Sequence, residues 1–177
     1  ALGDTKVSAL FPLLSHPEAG SMDTDELTLK AGVSLPTGST DETAQILTPM
    51  GTTPTVRTPY MMQMGTGTFD LEPAVTYKGR RGKIGFGAQA SASIKLDDNK
   101  WGYAFGDVYE GTAWLSYRPA QWLSVSGRVK GRTMGQVEGI DPNIMGPVQT
   151  ANPDFQGGER IDLIGGINLV GTHGPLA

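Results

Sequence analysis

Between Arg81 and Leu96 the sequence RGKIGFGAQASASIKL repeats with a period of two. Gly82, Ile84, Phe86, Ala88, Ala90, Ala92, Ile94 and Leu96 fall on one side, and Arg81, Lys83, Gln89, Ser91, Ser93 and Lys95 fall on the other. Such alternation puts unlike chemistry on the two faces of an extended strand. The strand it implies is far longer than the usual five or six residues, and alanine and glycine outnumber large aliphatics on its apolar side. Soluble cores are filled to crystal-like density by interlocking side chains, so this face makes a poor half of one. A face that meets lipid tails needs apolar atoms but no complementary partner, while a face that meets water can carry charges in rows.

The pattern recurs. Alternation predicts seven strands, over about 4 to 14, 24 to 36, 67 to 78, 81 to 97, 102 to 118, 121 to 134 and 159 to 171. The second sets Leu27, Leu29, Ala31, Val33 and Leu35 against Glu26, Thr28, Lys30 and Ser34, and the third sets Phe69, Leu71, Pro73, Val75 and Tyr77 against Asp70, Glu72, Thr76 and Lys78. In the fifth, Tyr103, Phe105, Tyr109, Ala113, Leu115 and Tyr117 oppose Glu110, Thr112, Ser116 and Arg118. Odd-numbered links between strands are short and even-numbered links tend to be long, with DNKW near 98 the exception. That is the order of an up-and-down meander with tight turns at one end and loops at the other, as transmembrane barrels are built. The long segments are 37–66 and 135–158.

Aromatic placement gives an independent signal. Tyr77 and Tyr117 lie on the apolar face before short turns, Phe69, Phe105 and Tyr109 lie on it toward the long loops, and Phe86 shares it. The eight residues from Tyr109 to Tyr117 span roughly 20 Å along the membrane normal for a strand tilted about 40°, close to the apolar band between the two aromatic girdles of such barrels. The fold expected is an all-β, antiparallel, up-and-down transmembrane β-barrel, with the whole of 1–177 in a single domain. A soluble β-sandwich also has alternating strands; strand length, loop asymmetry and aromatic placement favour the barrel.

Composition narrows the classes. With 25 Gly, 12 Pro and no Cys among 177 residues, a helical bundle and a disulfide-stapled scaffold are disfavoured. No run of about 18 apolar residues marks a membrane helix, and ALGDTKV lacks the basic and apolar regions of a signal peptide, which suggests a mature or truncated chain. A net charge of −4 gives no polybasic footprint for nucleic acid. Absence of cysteine suits an oxidising envelope compartment.

LPTGSTDET (Leu35 to Thr43), MGTGTFDLEPAVTY (Met64 to Tyr77), GAQASASIKL (Gly87 to Leu96), GYAFGDVYEGTAW (Gly102 to Trp114) and ANPDFQGGERIDLIGGINL (Ala151 to Leu169) followed by GPLA resemble the bacterial outer-membrane barrels labelled as a meta-pathway of phenol degradation, often called simply transporter. The resemblance spans nearly the whole chain. It implies a location in the bacterial outer membrane and passage of small molecules, aromatic ones among them. Members of that family look longer at both ends and finish in a terminal aromatic strand, which GTHGPLA does not reach. Seven strands are also an odd number with two open edges, whereas bacterial single-chain barrels close with an even number. The expectation is an incomplete barrel chain, completed by further chain segments or by a protein partner.

The alternation assigns Glu26, Lys30, Asp70, Glu72, Lys83, Lys95, Glu110, Arg128, Lys130, Arg132, Arg160 and Asp162 to the lumen. If Arg118 opposes Trp122 across the PAQ turn, Glu110 faces Lys130, Thr112 faces Arg128 and Val108 faces Arg132. Two outcomes are then open: a transverse field that orients dipolar solutes, or charges that pair and fill the bore. The seven methionines, Met22, Met50, Met61, Met62, Met64, Met134 and Met145, fall in the connections, and MMQM makes Met61, Met62 and Met64 candidate soft ligands for Cu(I) or, more plainly, rim packing. Segment 37–66 exceeds the usual length of a structureless link, so it is an ordered lid or a disordered tip. The two histidines, His16 and His173, are expected in turns, and no Ser, His and acid set is placed as a triad. TGTGTF precedes no helix, and LDDN reads as a turn rather than a calcium loop. The expected function is a porin-like passive pathway for small solutes, without enzymatic turnover or cofactor, in contact with outer-membrane lipid. A barrel sheath around an envelope complex and a soluble adhesin with binding loops are the alternatives.

Overall fold

A computed structural model describes residues 2–17, 23–47, 50–144, 149–171 and 174–175 of the chain. Its long strands are β1 (Thr5–Pro17) and β2 (Thr24–Leu35), then, after the short hairpin β3 (Thr43–Gln45) and β4 (Thr55–Arg57) and the two-residue β5 (Asp70–Leu71), β6 (Ala74–Arg81) and β7 (Ile84–Lys95). After β8 (Tyr103–Ala104) come β9 (Val108–Ala120) and β10 (Leu123–Met134), then β11 (Glu138–Gly139), β12 (Gly158–Gly171) and β13 (Gly174–Pro175). The protein is all-β and antiparallel. Nine strands form the main sheet, in which neighbours in sequence are neighbours in space from β1 through β2, β6, β7, β9 and β10 to β12.

Seven long strands therefore stand where alternation placed them, with two interruptions. The third breaks at Glu72 and Pro73, because proline has no N–H for the ladder; the Pro73 carbonyl still accepts from the Ala92 N–H at 3.0 Å. The fifth breaks after Ala104, where β8 leaves the wall and pairs with β11. The chain returns at Gly106, which lies so close to Gly135 that a side chain there would overlap that backbone. The link after β7 thus runs from 96 to 107, and DNKW is no exception: links at 82–83 and 121–122 are short, and those at 36–69, 96–107 and 135–157 are long. His16 lies within β1, opposite Asp25, rather than in a turn. Met22, Met145 and His173 lie outside the described residues.

The sheet is open. Among the described residues β1 pairs only with β2, and β12 pairs with β10 and the short β13. Among the described residues no second layer packs on it either: their buried apolar side chains are Tyr60, Tyr103, Ala104, Phe105, Val137 and Ile144, all in the long links, and none lies in the seven-strand wall. On the apolar face Leu115, Val125, Ile167 and Leu29 are exposed, and Leu163 is 82% exposed. One face of the wall is apolar and bare, and the other is charged.

Candidate functional site

Cross-strand register builds the polar face row by row. Arg160, Arg132, Glu110 and Ser91 make one row, and Asp162, Lys130, Thr112, Gln89, Thr76 and Thr28 make the next. The β9–β10 register differs by two residues from the one expected: Arg132 opposes Glu110, Lys130 opposes Thr112 and Arg128 opposes Trp114. Two things set it: the two-residue turn at 121–122 pairs Ala120 with Leu123, three residues off the expected register, and an irregularity between Leu123 and Val125 takes back one. Such a bulge adds a residue to one strand and displaces everything beyond it. An even displacement keeps each side chain on its face, so Lys130 still reaches Glu110, diagonally, at 2.8 Å.

Charges on this face mostly pair. Asp70 and Lys95 meet at 3.0 Å with 3% and 8% of their side chains exposed, and Thr68 donates to Asp70 at 2.6 Å while Lys95 also donates to Ser93 at 2.9 Å. Glu72 sits between Lys6 and Lys30, the latter at 3.5 Å. Further along the wall are Glu26 with Lys78 at 2.9 Å and Arg160 with Asp162 at 3.1 Å, both more exposed. The most buried charges lie at the long-loop end, whereas Arg160 and Asp162, at the same end but on the edge strand β12, stay more exposed. At that end Lys6, Lys30, Asp70, Glu72, Lys95, Glu110 and Arg132 line a cavity of about 430 Å³. Lys83 departs from the expected set: it sits in the 82–83 turn, and its Nζ donates to the Pro119 carbonyl at 3.1 Å.

Trp114 is the aromatic that alternation did not single out. It shares the polar face, opposite Gly87 on one side and Arg128 on the other, with the Arg128 guanidinium 5.3 Å from its ring centroid. The indole lies across Gly87, where a Cβ would overlap it and come within 2.7 Å of the Tyr77 carbonyl oxygen. Gly87→Ala is therefore expected to displace Trp114 and to cost roughly 1–3 kcal/mol by overpacking, read as a shifted tryptophan emission maximum and a lowered unfolding midpoint. The sequence signal was available in a tryptophan at the parity of the charged residues, facing a glycine.

The described residues of the long links pack together as an ordered cap. Tyr60 and Tyr103 meet edge to face at 4.9 Å, Phe105 stacks edge-on against Tyr103 at 5.7 Å, and Val137 and Ile144 complete the cluster. Arg57 pairs with Asp141 at 2.7 Å, with 7% and 0% of their side chains exposed, and lies 3.9 Å over the Trp101 ring. The Arg57 guanidinium also donates to the Thr40 carbonyl, and the Asp141 N–H donates to the Tyr60 hydroxyl at 3.2 Å. Asp4 ties the start of β1 in, accepting from the Gly38 N–H at 2.8 Å and the Thr66 N–H at 2.7 Å. Burial pushes the Tyr103 phenol above its ordinary range, and the Ser39 hydroxyl, donating at 2.7 Å, helps hold the Asp41 carboxyl below its own.

Phe105 therefore belongs to the cap core and not to the outward face, because its segment follows β8 away from the wall. Phe69, Tyr77, Tyr109 and Tyr117 are exposed on the apolar face, and Phe86 is half-buried against Tyr77 at 6.2 Å. The face ends in polar contacts: the Tyr77 hydroxyl donates to Asp25 at 2.7 Å, and that of Tyr109 to Asp107 at 3.3 Å. Met134 ends β10 and packs on the cap core, so it is no link residue. Met61 and Met62 end a single 3₁₀ turn after which Gln63 is extended, and Met61, Met62 and Met64 are all exposed. Among the described residues no group of three or more His, Asp or Glu is placed to hold a metal ion.

No family model matches the chain, and no curated protein matches it.

Proposed function

We propose that the chain is a wall of a bacterial outer-membrane β-barrel that provides a passive pathway for small solutes, aromatic ones among them, along its charged face. The observation that carries this reading is the seven-strand wall, which among its described residues buries no apolar side chain of its own. Contiguous apolar surface beyond a few hundred Å² is rare on a soluble monomer, whereas lipid tails cover such a face without a complementary partner. Strands of 12 to 14 residues, β2, β7, β9, β10 and β12, meet the roughly 9–11 residues that a tilted strand needs to cross the hydrocarbon. Two open edges cannot remain unpaired in lipid, so further chain segments or a partner close the barrel. The cap lies over the long-loop end of the polar face, where Met134 and the Asp70–Lys95 pair are covered, and it narrows the entrance.

The test is extraction and gel migration of the full-length protein. The expected result is recovery only with detergent and a band that migrates differently before and after boiling. Solubility without detergent, with migration indifferent to heat, refutes the proposal in favour of a soluble sheet with binding loops.

A further inference from the structure

The two signs of charge are not shared evenly between the faces. Among the described residues, cross-strand register puts Lys6, Lys30, Lys78, Arg80, Lys95, Arg128, Lys130, Arg132 and Arg160 on the polar face, with Glu26, Asp70, Glu72, Glu110 and Asp162 as the acids beside them. A protein of net charge −4 thus has a polar wall in which the described cations outnumber the acids nine to five. Each of the five acids is already paired with a lysine or arginine. Among the described residues Arg128 and Arg132 have no carboxylate at ion-pair distance. Arg132 stands between Glu110, whose carboxylate is taken by Lys130, and Arg160, whose guanidinium is taken by Asp162, so its own charge is left without an ion-pair partner. Arg128 is held against Trp114 by its ring, which leaves the edge of the guanidinium available for a bidentate oxyanion.

We propose that this face selects anions: the solutes it favours carry a carboxylate, phosphate or sulfate group, with Arg128 and Arg132 as successive contacts. The proposal rests on the barrel reading above. The two arginines are four residues apart on β10, roughly 13 Å along the strand, so a small anion passes from one to the next. Acids of the cap such as Asp41, Asp97 and Asp98 are exposed, and salt screens exposed charges beyond about 10 Å; cations on the wall of a confined bore are screened less. The transverse field considered from sequence is replaced by a net positive wall, and Lys130, bound to Glu110, is not one of its free cations.

The experiment uses the full-length protein in planar bilayers under a potassium chloride gradient, beside proteoliposome swelling with a neutral pentose. The wild-type protein is expected to swell vesicles in the pentose and to pass chloride over potassium by about tenfold at 0.1 M salt, a preference that shrinks toward unity at 1 M. Arg128→Gln with Arg132→Gln is expected to bring the ratio to about two or below, while Lys100→Gln leaves it unchanged. A wild-type preference for potassium, or none, overturns the inference and leaves the pathway standing; this arm does not depend on any variant folding. A double variant with native heat-modifiable migration and an unaltered ratio overturns the role of the two arginines. Failure of the pentose to enter overturns the pathway itself and the anion proposal with it.

Discussion

Ala113→Arg is expected to destabilise the folded protein in lipid by about 2–4 kcal/mol, the cost of an arginine at the middle of the hydrocarbon on a barrel's outer face. Ala113 is an exposed residue in the middle of β9, paired with Ala88 and Val129 on its two sides. Nothing among the described residues covers it. In water a substitution at such a place stays within about 0.5 kcal/mol of neutral, so the size of the change reports what wets the face. Reversible urea unfolding in phospholipid vesicles measures it, with Ala113→Leu as the size control. The same replacement near the rim, Tyr109→Arg, is expected to cost less, about 0–1 kcal/mol from the charge, because the girdle already borders water.

The second large effect is expected in the cap. Asp141→Ala leaves the Arg57 guanidinium buried without its carboxylate, and stranding one member of a buried pair costs about 3–5 kcal/mol. The loss falls on the contact that joins the 36–69 and 135–157 links, since Arg57 also holds Thr40 and Trp101 and Asp141 holds Tyr60. Limited proteolysis should then cut both links at least a hundredfold faster, while far-UV circular dichroism of the strands stays unchanged. Cleavage at the wild-type rate would mean that the Tyr60, Tyr103 and Phe105 cluster alone holds the cap. An opened cap should also raise solute flux if the cap narrows the entrance.

Why the wall was legible and the cap was not follows from the range of the forces involved. A strand with unlike faces writes itself locally, residue by residue, so Ile84 to Ile94 and Tyr109 to Tyr117 could be assigned to a face without any knowledge of their neighbours. Register is a longer-range property: a tighter turn at 121–122 and an irregularity at Leu123 to Val125 together displace the β9–β10 pairing by two, yet the even displacement keeps Arg128, Lys130 and Arg132 on the polar face. Phe105 was misplaced because its parity continues that of β9, and only the β8–β11 pairing, 34 residues apart in sequence at Ala104 and Glu138, takes it off the wall. The Arg57–Asp141 pair has no local pattern at all. Two loops 84 residues apart supply its halves, and only the closed cap brings them together. The pairing of Glu72 with Lys6 and Lys30 was hidden for the same reason.

The absence of cysteine allows a direct measurement of what each face meets. Single cysteines introduced in turn at positions 109 to 117 of β9, each with a nitroxide label, can be read for collision with oxygen, which concentrates in lipid, and with a neutral nickel chelate, which stays in water. With the protein in vesicles, the account predicts strict alternation: oxygen access at 111, 113 and 115, nickel access at 110, 112 and 116. Nickel access at every position, or labels at 111, 113 and 115 immobilised and shielded from both reagents, would contradict it.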